Sequence, residues 1–471
     1  LPVVADRFYR QLAGAVDLLG TESKDIVTAT VGPAGELTLE LPGPDSTIRF
    51  SRRFLPEETR EVRLHLFEGK DSVRFVGEGT TPIRLRVIDP EGSAVARRAR
   101  PFVSLYDSTS ARPPSVDSLS PLSIPRDWGT LYGVVPWFEA RPGIGMLIGG
   151  GPVFYRYGFW KQPYASRVAI RTAWASGVPG LGLNADLEAD FRFHRPGRRL
   201  LVRAGYLRID VTRYFGIGNE TVRSPIDDYD HVRQQLYLVE PRLELALGGK
   251  RKLSLGAFAR ASVTDLDRPS VLAEQRPYGS GSFAEVGLTA GLVHDSRDHL
   301  RYPTRGIRAE LATTFAPGFL DVARSFGRVD GVVSSYSTAS TLPARPTLAV
   351  RVGGSQTFGR VPFFEAASVG GRRSGRGLNS HRFIGDASLY GSAEVRLDFG
   401  DFTLLLPGEW GIYGLGDVGR VFVDGDRSDR WHDALGAGLW FAFLNRGSTM
   451  TVTYARSEER SRLYIQAGFH F

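Results

Sequence analysis

Between residues 183 and 193 every second side chain is apolar: Leu183, Ala185, Leu187, Ala189, Phe191 and Phe193 alternate with Asn184, Asp186, Glu188, Asp190 and Arg192. A period of two belongs to β-strands, since a helix would scatter these side chains around its whole circumference. The pattern recurs. Tyr237, Val239, Pro241, Leu243, Leu245 and Leu247 alternate with Glu240, Arg242 and Glu244, and Leu389, Ala393, Val395, Leu397 and Phe399 with Glu394, Arg396 and Asp398. About sixteen such segments fit between residues 143 and 471, joined alternately by tight turns (HRPGRR, GGKRK, YPTRG) and by longer loops.

Alternation alone leaves two folds open. In a soluble sandwich the apolar face is the core, whereas in a membrane barrel it is the outside. The chain has no run of about 18 uncharged apolar residues, the length a membrane-spanning helix needs, but barrel strands need only about 9–11. An even strand number and short turns at one rim with long loops at the other favour the barrel. So does the ending RLYIQAGFHF, in which Leu463, Ile465, Ala467, Phe469 and Phe471 share one face. Composition narrows the function. With 55 Gly among 471 residues and 11% aromatics the chain is neither disordered nor helix-rich, and with no Cys it holds no disulfide, Cys-ligated metal or thiol nucleophile. The 59 Lys and Arg exceed the 51 Asp and Glu by 8, but the arginines are spread evenly, which argues against a nucleic-acid partner. The opening LPVVADRFYRQL lacks an initiator Met and a signal peptide, so a mature form or a fragment is expected.

Phe8, Leu12, Val16 and Leu19 lie three and four apart, which predicts one amphipathic helix over residues 4–19. The runs DIVTATV, GELTLEL, STIRFSR, EVRLHLF, DSVRFV and PIRLRVI then predict a small antiparallel β-domain ending near Tyr106. Residues 107–127 hold Pro113, Pro114, Pro121 and Pro125 among serines and read as a linker or strap. The fold class is therefore all-β: a small β-rich domain over 1–106, a linker over 107–127, and a sixteen-stranded antiparallel transmembrane β-barrel over 128–471.

Two literal motif matches carry no chemistry. GLGDVG at 414–419 fits a dinucleotide fingerprint but lies inside an alternating strand. The His294, Asp295, Asp298 and His299 cluster falls at a strand end, where a charged, solvated turn is expected and no metal site.

Three other segments resemble the bacterial surface antigen superfamily of BamA-like insertases and two-partner secretion transporters. GLVHDSRDHLRYPTRGIRAEL is similar to its strand–turn–strand signature through Asp295, Ser296, Arg297, Asp298, Pro303 and Gly306. SVGGRRSGRGLNSHRFIGDASLYGSAEVRLDF is similar to its most specific motif through Gly370, Gly371, Arg376, Gly377, Glu394 and Arg396, with Leu378 where the family has an aromatic residue. YGLGDVGRVF matches the next motif through Leu415, Asp417 and Gly419. The resemblance implies a loop folded into the lumen and locked by Arg376 and Gly377 against Asp417 and Gly419. It also implies lumen-facing Glu394 and Arg396, and an assembly signal at Phe469 and Phe471. An Arg–carboxylate pair in a desolvated lumen is strong on physical grounds as well. In GIGMLIGGGPVFYRYGF, Gly150 and Pro152 would weaken a first strand closing against the last, because Gly is flexible and Pro donates no ladder bond. In that family this seam is the lateral gate.

Residues 1–106 lack the family's repeated β-α-α-β-β modules. Residues 52–92 resemble instead the segment that joins a calcineurin-like metallophosphatase to such barrels, although no phosphatase metal motif is present. The expected function is insertion or translocation of protein or lipid in the bacterial outer membrane, without enzymatic activity, energy source, metal or cofactor. Its partners would be membrane lipids and periplasmic or outer-membrane proteins. The alternative is a non-transporting barrel that anchors a complex.

Overall fold

The computed structural model describes all residues except 1–3, 5–8, 11, 43–47, 90–99, 107–128, 142–144, 162, 177–182, 194–196, 209–211, 227, 404–406, 444–445 and 447. The predicted linker thus lies outside the described residues. The chain forms two compact units, Leu1–Asp127 with Phe159–Gln162 and His194–Pro196, and the remainder from Trp128.

The smaller unit contains strands β1 (Ala15–Leu19), β2 (Ile26–Val31), β3 (Leu37–Pro42), β4 (Ile48–Phe54), β5 (Glu61–His65), β6 (Ser72–Val76), β7 (Arg84–Ile88) and β8 (Val103–Tyr106). They form two four-stranded sheets, ordered β1-β5-β7-β8 and β4-β3-β2-β6. Val27, Leu37, Leu39, Val62, Leu64 and Leu85 fill the core with no exposed area. Two expectations are corrected. The first sheet is parallel throughout, because β6 belongs to the other sheet and β5 therefore reaches β7 by a crossover and not a hairpin. Alternation identifies a strand but not its partner. The predicted helix ends early: the described residues 4, 9, 10, 12 and 13 are helical, while Ala15–Leu19 is a strand paired with β5. Leu12 and Leu19, which should have shared a buried face, are 61% and 62% exposed. Pairing with β5 overrides the helical spacing.

The larger unit is a sixteen-stranded antiparallel sheet: β9 (Thr130–Arg141), β10 (Gly145–Arg156), β11 (Ser166–Ala175), β12 (Leu183–Arg192), β13 (Arg198–Arg208), β14 (Gln234–Gly248), β15 (Arg251–Thr264), β16 (Ser282–Asp295), β17 (Gly306–Ala316), β18 (Phe326–Thr338), β19 (Thr347–Phe358), β20 (Ala387–Thr403), β21 (Pro407–Phe422), β22 (His432–Phe443), β23 (Ser448–Ser457) and β24 (Ser461–Ala467). Each strand pairs with its neighbours in sequence. Burial settles the choice between sandwich and barrel. On β12, Asn184 and Asp186 are 0% and 3% exposed, while Leu183 and Phe191 are 48% and 41% exposed. The apolar face points outward, as lipid requires, and the polar face inward. The sheet is a transmembrane barrel.

Two features of the seam differ from expectation. Gly150 and Pro152 are on the second strand, β10, which lies between β9 and β11. The sequence of β9 (TLYGVVPWFEAR) carries Gly133 and Pro136 and does not alternate, so the true first strand lacks the usual sign. A Cβ added at Gly149 or Gly151 would lie 2.0 Å from the carbonyl oxygen of Thr172 or Ile170, so these glycines permit close backbone passage inside the wall. At the other end β24 stops at Ala467. Gly468 turns with φ +77° and donates to the Thr449 carbonyl at 2.8 Å, and Phe469 and Phe471 leave the lipid face held by Leu463 and Ile465. Among the described residues β24 pairs only with β23, and no ladder joins it to β9.

Candidate functional site

The connection between β19 and β20, residues 359–386, builds its own support. Ala367–Val369 pairs with Phe383–Gly385 as a stem, and the tip between them enters the lumen. Gly370 and Gly371 adopt φ of +127° and +76°, where an added Cβ would lie 2.3 Å from the Asn379 carbonyl oxygen and 2.7 Å from Ser380 Oγ. Only glycine turns the chain here. Leu378, at the family's aromatic position, is 1% exposed and packs among Val369, Phe383 and Val421.

At the tip, Arg376 is 1% exposed. Its Nε and Nη2 donate to Asp417 Oδ2 and Oδ1 at 2.8 and 2.5 Å, and its backbone N–H donates to Oδ2 at 2.9 Å. Its Nη1 donates to Glu394 Oε1. The other oxygen of Glu394 accepts from Arg396 Nε and Nη2 at 2.9 and 2.7 Å. Two guanidiniums and two carboxylates make a neutral, buried quartet across β20, β21 and the loop, with nearly every polar atom satisfied, the condition under which buried ion pairs are tolerated. Burial opposes the charge on Arg376, but Asp417 and Glu394 outweigh it and hold the guanidinium above its ordinary range. Gly377, with φ +91°, lies against the Ser457 backbone, and Gly419 leaves room for Val369 of the stem.

The quartet reaches the rim of short turns. Arg396 Nη1 donates to the Pro303 carbonyl at 3.3 Å and Nη2 to the Phe471 carbonyl at 3.0 Å. Pro303 belongs to the predicted turn, where Asp298 accepts from the N–H groups of Thr304 and Arg305 at 2.9 and 3.1 Å, and Asp295 accepts from Arg297 Nε and Nη2 at 2.9 and 2.7 Å. Gly306, with φ +109°, closes the turn at a point where a Cβ would lie 2.5 Å from the Ser296 carbonyl oxygen. Asp295 and Asp298 thus shape the turn. Phe469 packs with Tyr302, Tyr413 and Trp440, its ring centre 3.8 Å from the Arg396 guanidinium carbon.

Sequence reasoning missed the contacts of the last strand. Tyr464 and Gln466, on the polar face of β24, meet the loop tip: the Gly377 N–H donates to Tyr464 Oη and Arg372 Nη2 to Gln466 Oε1, both at 2.9 Å. Alternation placed them on the lumen face but gave no partner. It also missed a second anchor, in which Arg260 of β15 donates at 2.7 Å to Glu365, before the stem.

His470 is enclosed beside the tip, with the Tyr464 ring edge-on at 5.6 Å and no hydrogen-bond partner for Nε2. Burial, with the charge of Arg376, pushes its pKa from 6.5 down to about 4. The folded state therefore refuses a proton that the unfolded chain accepts, and stability falls as pH drops from 6.5 toward 4. At pH 5 the cost is about 2 kcal/mol. The thermal midpoint should drop between pH 7 and pH 5 more in the parent than in His470→Gln; equal drops would refute this assignment.

Residues 185–412, from β12 into β21, match the family model for the Omp85 superfamily domain. The chain carries an Omp85 superfamily domain. BamA from Haemophilus ducreyi lacking POTRA domains 1–3 is similar to this chain with a TM-score of 0.51 at 15% identity, covering 73% of this chain and 70% of that one. CdiB from Escherichia coli gives 0.45 at 13% identity, over 79% and 65% of the two chains. No curated protein matches, and the resemblance of residues 52–92 to metallophosphatase fusions gains no support from these comparisons. The barrel is an integral outer-membrane protein.

Proposed function

We propose that this Omp85 barrel inserts or translocates polypeptide at the outer membrane by opening its seam, with the inward loop as latch. One observation carries the reading: among the described residues β24 has a ladder partner on one side only, and it is held from the lumen by the loop tip. A strand edge with unpaired N–H and C=O groups is a template for an incoming strand. In lipid such an edge must be covered, and the polar lumen contacts hold the strand until a client strand replaces them. The short-turn rim would face the periplasm, and strand exchange conserves hydrogen bonds, so no nucleotide or cofactor need drive it. Arg376, Gly377, Asp417 and Gly419 are then positioning residues of the latch, Glu394 and Arg396 its lumen base, and Phe469 and Phe471 its tie to the short-turn rim.

In proteoliposomes the chain should raise the folding yield of a denatured outer-membrane β-barrel severalfold over empty vesicles. A yield equal to that of empty vesicles, with a stoichiometric partner retained on purification from native membranes, would replace this reading with that of a membrane anchor.

A further inference from the structure

Three segments meet at the rim of long loops, beside the last hairpin. Arg382 ties them together. Its Nη1 and Nη2 donate to Thr221 Oγ1 and the Thr221 carbonyl at 2.7 and 2.6 Å, and its Nε donates to Glu459 at 2.5 Å. Thr221 is in the 209–233 connection, which Asn219 pins to β21 by bonding both the N–H and the carbonyl of Val421. Around this knot stand Arg223, Asn379, Arg460 and Arg462.

Their hydrogen bonding is incomplete in one direction. Asn379, 1% exposed, accepts from Arg460 and Arg462 through Oδ1. Those two donors fix the carboxamide orientation and leave Nδ2 as a buried donor without an acceptor. The Nε atoms of Arg223 and Arg462 are likewise buried and unbonded. Three donors thus lack acceptors in one neighbourhood. Of the carboxylates nearby, Asp230 is held by Arg213 at 2.7 Å and Glu458 by Arg430 and His432, while Glu459 spends Oε1 on Arg382 and keeps Oε2 buried without a donor. Burial, and after it the charges of Arg223, Arg462 and Arg213, hold the Arg460 guanidinium below its ordinary range. The cluster is short of negative charge, and an oxyanion supplies it together with acceptors for the three unbonded donors.

We propose that Arg223, Asn379, Arg460 and Arg462 form a binding site for a phosphate group. Several guanidinium forks and one carboxamide offer donors in more directions than a planar carboxylate can use, and a tetrahedral phosphate accepts from all of them. The group comes either from an outer-leaflet lipid headgroup or from free phosphate. Because Asn379 is on the inward loop and Arg460 and Arg462 are on the last hairpin, a bound phosphate clips the loop to the seam strand. The site itself does not depend on the proposed transport function.

The test is titration of the full chain with inorganic phosphate in zwitterionic detergent at constant ionic strength, followed by calorimetry. The expected result is saturable 1:1 binding, weakened at least about tenfold both in Arg223→Gln and in Asn379→Asp, which supplies the missing negative charge from within. Retained heat-modifiable mobility certifies each variant as folded, and either alone suffices. Repeating the titration in phosphatidylcholine vesicles with and without phosphatidic acid separates the sources: loss of free-phosphate binding in the acidic vesicles identifies a lipid phosphate, and unchanged binding identifies the free ion. No binding in any condition, or equal binding in parent and variants, an adventitious ion only, overturns the proposal.

Discussion

Arg376→Ala is expected to lower the thermal midpoint of the folded barrel and to raise its conductance in planar bilayers. The substitution leaves Asp417, 4% exposed, without the guanidinium that holds both its oxygens, and removes the donor to Glu394 Oε1. Removing one partner of a buried ion pair costs about 3–5 kcal/mol, because the remaining charge stays desolvated. A strand cannot leave the wall to relieve that cost, but a loop can leave the lumen. Water then reaches Asp417, and the space vacated by the tip conducts. Glu394 keeps the Arg396 guanidinium on Oε2, so its charge stays paired and the wall itself should persist. Arg376→Lys should fall between parent and alanine, since an ammonium keeps the charge but cannot span both oxygens of Asp417. An alanine variant with unchanged midpoint and unchanged conductance would mean that the quartet does not hold the loop.

Much of this architecture is written in the chain, and the exceptions have physical reasons. Residues 183–193 and 389–399 display the wall openly, because a side-chain period of two survives whatever the partner is. The same period misleads at the C-terminus. Phe469 and Phe471 continue the apolar register of Leu463 and Ile465, but the turn at Gly468 sends them inward, and one glycine in a chain with 55 carries no mark of its φ. The first strand was hidden for the opposite reason: Gly133 and Pro136 break its alternation, and only pairing with β10 makes it a strand. Arg376 and Asp417, 41 residues apart, were legible through the two successive motifs that contain them. Arg260 and Glu365, 105 apart, belong to no motif, and neither do Tyr464 and the Gly377 N–H, so nothing local announces that they meet. The parallel sheet of the small unit was lost in the same way.

The proposed latch requires the loop tip to release the last hairpin before the seam opens. A Cβ at Gly377 would lie 3.1 Å from that of Ser457, slightly inside the separation found in disulfides, and the chain has no other cysteine to interfere. In Gly377→Cys/Ser457→Cys the oxidised bond would fasten the tip to the end of β23, next to the last turn. The positive φ at position 377 strains both redox forms alike, so the reduced protein is its own control. The decisive measurement is client folding in proteoliposomes by this variant before and after reductant. The expected result is a yield at the level of empty vesicles when oxidised, restored by reduction, with conductance openings lost and regained in parallel. Full yield with the disulfide shown intact would contradict the latch.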